Sequence, residues 1–259
     1  MKRICSAGVF ACLATAGVAN AADDGMAVYG ELYGGSLDSE TVVSGYGALT
    51  LPIQQQFGAH LEVLADKLGD DNSQNIGGHL YWRAPDKGLI GLIASHTEFE
   101  VLGVDGDFSG YGVEGELYLS PFSLAAQYAR LTSDDLTLDD ENYYAFDAHW
   151  DSQSSWYVFG GLRSLADYDV GYAEVDFTPD GGRSPFTVYG GVTWNDYESQ
   201  YLGVEYVVRR TSSSNLSLFV EADNGENGYD GVFVGLSYGA GPVGNAPLIS
   251  LFEQAKGGY

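Results

Sequence analysis

Charged side chains recur in this chain at every second position between apolar neighbours, and that spacing limits the chemistry open to it. Glu31, Glu62, Glu114, Glu116, Asp147, Glu174, Asp176, Glu205 and Glu221 occupy one phase of the alternation. His60, His79, His149, Arg83, Arg163 and Arg209 share it. Residues two apart on a strand point the same way, so these groups are expected to line one face of a sheet. A face of fixed charge attracts and orders cations and polar solutes; it does not by itself make or break covalent bonds. Covalent catalysis needs a nucleophile, a base and an orienting group that converge. Neither a G-x-S-x-G elbow nor an H-E-x-x-H helix is present. No enzyme, catalytic residue or cofactor is therefore expected.

Metal ligation is not expected either. Asp223-Asn224-Gly225-Glu226-Asn227-Gly228 has the composition of a calcium loop. Its third position is glycine, however, and Val234 stands where the bidentate glutamate belongs. Asp134, Asp135, Asp139, Asp140 and Glu141 are expected to form a solvated acidic loop. With 36 acidic and 11 basic residues the formal charge is −25, which excludes nucleic-acid phosphates as a partner.

The elements that must position these groups are strands. Between 142 and 150, Tyr144, Phe146, Ala148 and Trp150 alternate with Tyr143, Ala145, Asp147 and His149. After a polar turn at 151–154, Trp156, Val158, Gly160 and Leu162 alternate with Tyr157, Phe159, Gly161 and Arg163. Period-two alternation interrupted by a short polar turn marks a hairpin. Similar runs recur from 26 to 239 and predict about fourteen strands. Twelve and sixteen are the alternatives, because 101–108 and 169–177 alternate poorly.

The connections fall into two alternating sets. The tight ones, at 51–53, 84–88, 120–121, 151–154, 179–185 and 210–214, hold five of the seven prolines. The others, at 66–71, 98–108, 133–141, 195–199 and 223–230, read as longer and more acidic. Trp82, Trp150, Trp156 and Trp194 lie at strand ends on the apolar phase. A soluble sandwich would bury that apolar phase. A membrane barrel would turn it to lipid, with the indoles at the two interfaces and the charges in the lumen.

Residues 1–21 read as a cleaved secretory signal: Lys2 and Arg3, an apolar stretch at 4–18, then Ala19-Asn20-Ala21. Lipidation at Cys12 is the alternative, but Val9-Phe10-Ala11 is a poor approach to a lipidated cysteine. Both cysteines, Cys5 and Cys12, lie in this leader, so the remaining chain has no disulfide.

From signal, alternation, turn asymmetry and tryptophan placement, residues 26–239 resemble a Gram-negative outer-membrane β-barrel of the porin-like type. Tyr229-Asp230-Gly231-Val232-Phe233-Val234-Gly235-Leu236 loosely resembles the closing-strand signal read by the barrel assembly machinery. The resemblance implies an all-β fold, a closed antiparallel up-and-down transmembrane barrel at 22–239, with a periplasmic tail at 240–259. It further implies outer-membrane lipid and lipopolysaccharide as surroundings. The expected function is passive diffusion of small polar or cationic solutes through an acidic lumen. A non-conducting barrel with a structural or surface-interaction role is the alternative.

Overall fold

The computed structural model describes residues 25–101, 104–133, 141–152, 154–165, 168–195, 198–226 and 230–241, together with Pro247. The leader expected at 1–21 lies outside them, as do residues 134–140 and the tail beyond Gly241 apart from Pro247.

Fourteen antiparallel strands form one closed barrel in which each strand pairs with its neighbours in the chain. The first half comprises β1 (Ala27–Leu37), β2 (Glu40–Gln54), β3 (Phe57–Leu68), β4 (Asp71–Ala84), β5 (Gly88–Val101), β6 (Val104–Leu119) and β7 (Phe122–Thr132). The second comprises β8 (Glu141–Asp151), β9 (Trp156–Leu165), β10 (Tyr168–Phe177), β11 (Phe186–Trp194), β12 (Glu198–Arg210), β13 (Ser214–Gly225) and β14 (Gly231–Ala240). The single helical turn α1 (Pro179–Gly182) sits in the connection between β10 and β11. β14 closes the sheet on β1, in register from Val28 opposite Ala240 to Leu37 opposite Gly231.

Alternation explains the closure. Along β8, Tyr143, Ala145, Asp147 and His149 are buried while Tyr144, Phe146 and Ala148 are exposed. The exposed phase is the apolar one throughout the wall. Leu32, Val204, Leu218, Val220, Val232 and Val234 form part of a continuous aliphatic exterior on β1 and β12–β14. The buried phase carries Glu31, Glu205 and Glu221 on the same strands. This is the inverse of a protein folded in water, and it matches a barrel whose outer wall contacts hydrocarbon.

Three sequence expectations change. The long loop expected at 98–108 is mostly strand, since β5 and β6 continue to Val101 and Val104 with Phe99 opposite Gly106 and Glu100 opposite Asp105. Hydrophobic alternation fades there because a strand end projecting beyond an apolar layer needs no greasy outer face. The turn expected at 51–53 lies instead at Gln55 and Gln56. Pro52 remains in β2 opposite Gly58, and a register shift between Pro52 and Gln54 accommodates Ile53. The expected difference in connection length is also weak: 178–185 in the tight set is as long as 133–140 in the other, and most of the rest are short in both.

An inward-outward wall makes a specific demand on stability. Val204→Arg, on the outer phase midway along β12, is expected to lower unfolding free energy by about 2–4 kcal/mol in lipid vesicles. Val208→Arg, near the strand end, should cost only about 0–1 kcal/mol. Denaturant titration of the lipid-reconstituted protein measures both.

Candidate functional site

The interior wall gathers most of the charged residues singled out by their spacing. Glu31, Glu62, Arg83, Glu114, Glu116, Asp147, Arg163, Glu174, Glu205 and Glu221 are buried on the inner phase, and Asp176 is half-buried beside them. Arg209 is a correction. The β12–β13 register shifts between Val207 and Arg209, so Arg209 pairs with Leu216 on the outer phase and is exposed. One extra residue in a strand reverses the facing of everything beyond it.

Charges on β8 and β9 are brought together by register. Asp147 faces Gly161 directly, two pairs along the ladder from Arg163 opposite Ala145 and so on the same face. Arg163 donates from Nη1 to Asp147 Oδ1 at 2.6 Å and from Nη2 to Oδ2 at 2.9 Å. The Tyr172 hydroxyl of β10 donates to Asp147 Oδ1 at 2.7 Å and accepts from Arg163 Nη2 at 2.9 Å. Such a bidentate, fully buried pair has strong directional bonds. Gly161 is required here, because a Cβ would run into Asp147 Oδ1 and lie 2.9 Å from the Tyr172 hydroxyl.

A second basic group is held on β4 and β6. Arg83 lies 3.7 Å from Glu116 and stacks near the rings of Tyr81 and Tyr118, at 5.3 and 5.9 Å to their centroids. The third cluster lies on β2–β6. His60 Nδ1 is 2.8 Å from Thr50 Oγ1, and His60 Nε2 is 3.0 Å from Glu62 Oε1. His79 sits opposite His60, with its Nδ1 2.9 Å from Glu114 Oε2. The sequence placed these histidines on the inner phase but not against one another. The His-x-Glu spacing on β3 was the signal; its partner on β4 depended on a cross-strand register.

The remaining arc is different. From β10 through β14 to β1, the inner wall holds Glu31, Glu174, Asp176, Glu205, Glu221 and Asp223. No Lys, Arg or His is buried on those strands among the described residues. Hydroxyls partner some of these acids: Tyr29 donates to Glu31 at 2.6 Å, and Tyr201 donates to Glu174. Asp176 Oδ1, the Tyr189 hydroxyl, Thr193 Oγ1 and Ser217 Oγ are buried there without a hydrogen-bond partner.

The rings of Tyr189 and Tyr201 lie over glycines of the adjacent strand. A Cβ on Gly203 would collide with the Tyr189 ring, and one on Gly191 with the Tyr201 ring. These large side chains are therefore folded along the wall rather than across the bore. The inner wall is nonetheless tightly packed, with Tyr143 and Phe233 at 0% exposure and Phe219 and Glu221 at 1%.

Outside, aromatic residues mark both ends of the apolar band. Trp82, Trp150 and Trp156 lie at the end bearing the connections after the even-numbered strands, and Trp194 lies at the other. Trp82 donates to Gln56 Oε1 at 3.0 Å in the nearby turn. Trp156 packs on Phe177 at 4.5 Å, and Phe186 on Tyr206 at 4.8 Å, continuing the band around the rim. Tyr128 and Tyr144 pair at 5.3 Å near the opposite end.

Closed sheet, apolar exterior and charged interior define a β-barrel of the membrane-spanning type. Among solved structures the fold is similar to the CymD monoaromatic hydrocarbon channel, with a TM-score of 0.53 and 9% identity over 85% of this chain and 89% of that one. It is also similar to the outer membrane protein Omp33 of Acinetobacter baumannii, with a TM-score of 0.51 and 11% identity over 85% of this chain and 99% of that one. No protein-family profile matches the sequence, and no curated protein matches it. At these identities the likeness is one of fold. The two neighbours are a channel and an outer-membrane protein.

The buried Asp147–Arg163 pair carries its own expectation. Asp147→Ala strands the Arg163 guanidinium and should destabilise the barrel by about 3–5 kcal/mol. Replacing both together, Asp147→Leu with Arg163→Met, should recover most of that loss. Unfolding midpoints of the single and double variants in detergent measure the difference.

Proposed function

We propose that this barrel is a narrow passive channel in the bacterial outer membrane that favours small cations and neutral polar solutes over anions. The observation that supports it is the segregation of interior charge. Buried basic groups are confined to β3, β4, β8 and β9, whereas the arc from β10 to β1 presents carboxylates with no buried cationic counterpart among the described residues. A carboxylate on a barrel wall is tolerated where water or a cation reaches it. A hydrocarbon cargo, which the name of one structural neighbour carries, does not suit such an interior.

In this reading the inner charges, Glu31, Glu62, Arg83, Glu114, Glu116, Asp147, Arg163, Glu174, Asp176, Glu205 and Glu221, line the route. Arg209 does not. Trp82, Trp150, Trp156 and Trp194 lie at the two lipid interfaces, where an indole keeps its ring in the acyl boundary and its N–H among headgroups. The leader at 1–21 directs export, and barrel assembly machinery inserts the chain among lipid and lipopolysaccharide. The tail at 240–259 is periplasmic, and the barrel performs no catalysis.

A second reading has one observation in its favour. The tightly packed inner wall around Tyr143, Phe219 and Phe233 suits a non-conducting barrel with a structural or surface-interaction role. Planar bilayers separate the two. The channel reading predicts small, cation-selective conductance whose reversal potential under a salt gradient moves towards zero in Glu205→Gln/Glu221→Gln. Sealed bilayers containing folded protein, verified by heat-modifiable migration on a gel, would leave only the structural reading.

A further inference from the structure

We propose that His60, Glu62 and His79 form a binding site for one divalent transition-metal ion of the zinc class inside the barrel. The site goes beyond the channel reading and does not depend on it, since binding can be measured whether or not the lumen conducts.

Register builds the site. His60 of β3 faces His79 of β4 directly, with ring centroids 5.3 Å apart, and Glu62 follows His60 by two residues on the same inner phase. One ligand atom from each of the three residues falls within 4.8 Å of the others. His60 Nε2 is 3.0 Å from Glu62 Oε1, and His79 Nε2 is 3.9 Å from the same oxygen. Donors about 2.0–2.1 Å from a tetrahedral zinc ion stand roughly 3.3–3.5 Å apart. The observed separations bracket that range, so modest side-chain adjustment would seat an ion.

The hydrogen bonds around the cluster set the donor atoms. His79 Nδ1 lies 2.9 Å from Glu114 Oε2, so in the neutral ring with its proton on Nδ1 the Nε2 lone pair is the atom open to a metal. That Nε2 has no hydrogen-bond partner, and the His79 side chain is 0% exposed. At 3.9 Å from Glu62 it is too far for a hydrogen bond. His60 Nδ1 is likewise engaged by Thr50 Oγ1 at 2.8 Å, which orients its Nε2 inward. A carboxylate behind a ligating histidine is the usual outer support of a zinc site. Glu114 fills that position as a positioning residue, and Gly91 opposite leaves the room it needs, since a Cβ there would lie 2.9 Å from Glu114 Cγ.

Two imidazole nitrogens and one carboxylate oxygen suit zinc or its first-row neighbours. They do not suit calcium or magnesium, which take oxygen donors. Three protein ligands leave a fourth coordination position for water or another small ligand. Protons compete with the metal for the imidazole nitrogens, so affinity should fall as pH is lowered.

The untagged barrel, folded in detergent and stripped with chelator, provides the test by titration with Co2+ and then Zn2+. The expected result is one equivalent of metal with the visible bands of tetrahedral cobalt, bleached by zinc. His60→Gln and His79→Gln should each abolish saturable binding. Glu114→Gln should weaken it about 10–100-fold. X-ray absorption of the zinc-loaded wild-type protein should show imidazole scattering from two histidines, a readout that does not rely on any variant folding. No uptake by the wild-type barrel, undiminished binding by both histidine variants, or a zinc shell without imidazole would each overturn the proposal.

Discussion

No water reaches the backbone inside a hydrocarbon layer, so every N–H and C=O of a crossing strand must find a partner in the protein. The pairing of β14 with β1 meets that condition for the two strands that would otherwise end the sheet. The remaining architecture depends on this closure. Once the sheet is a cylinder, its two faces lie in different surroundings, and the alternation of each strand becomes a division between inside and outside. Aliphatic side chains such as Leu202 and Val220 can then stand exposed, while Glu174 and Glu221 are buried. An open sheet with the same residues would be unstable in either medium.

Closure creates a second constraint, because charges inside a narrow cylinder cannot spread into bulk water. The structure meets it in two ways on two sides of the barrel. On β8–β10, Asp147, Arg163 and Tyr172 satisfy one another through short, directional bonds, and Arg83 lies among Glu116, Tyr81 and Tyr118. These groups brace the wall. On the arc from β10 to β1 the carboxylates have hydroxyl neighbours but no buried cation among the described residues. In the proposed reading mobile ions and water complete that side. The His60–Glu62–His79 cluster lies on the braced side, where a bound ion would take the part that Arg163 takes further round.

Much of the fold was legible beforehand, and the reason is local. The spacing of Tyr144, Phe146 and Trp150 against Asp147 and His149 records which side chains share a face, and fourteen such runs make fourteen strands. The errors occur where that signal ends. At 98–108 the strand passes beyond its apolar belt, so hydrophobic alternation disappears while backbone pairing continues. At 51–53 a proline looked like a turn, yet a register shift lets Pro52 stay in β2. At Arg209 a residue inserted into β12 turned an inward position outward.

The sequence by itself determined the strand count to within two, the apolar and charged phases, and the aromatic residues at strand ends. Those are properties of consecutive residues, set by the two-residue period of an extended chain. Tertiary structure alone decided which charges meet. Arg163 reaches Asp147 across 16 positions and His79 reaches Glu114 across 35, each through a cross-strand register selected by the whole cylinder. A one-residue shift in any of these strand pairings would exchange the inner and outer faces beyond it. The contents of the interior are therefore written along the chain, but their chemistry is settled only when the hydrogen bonds close the ring.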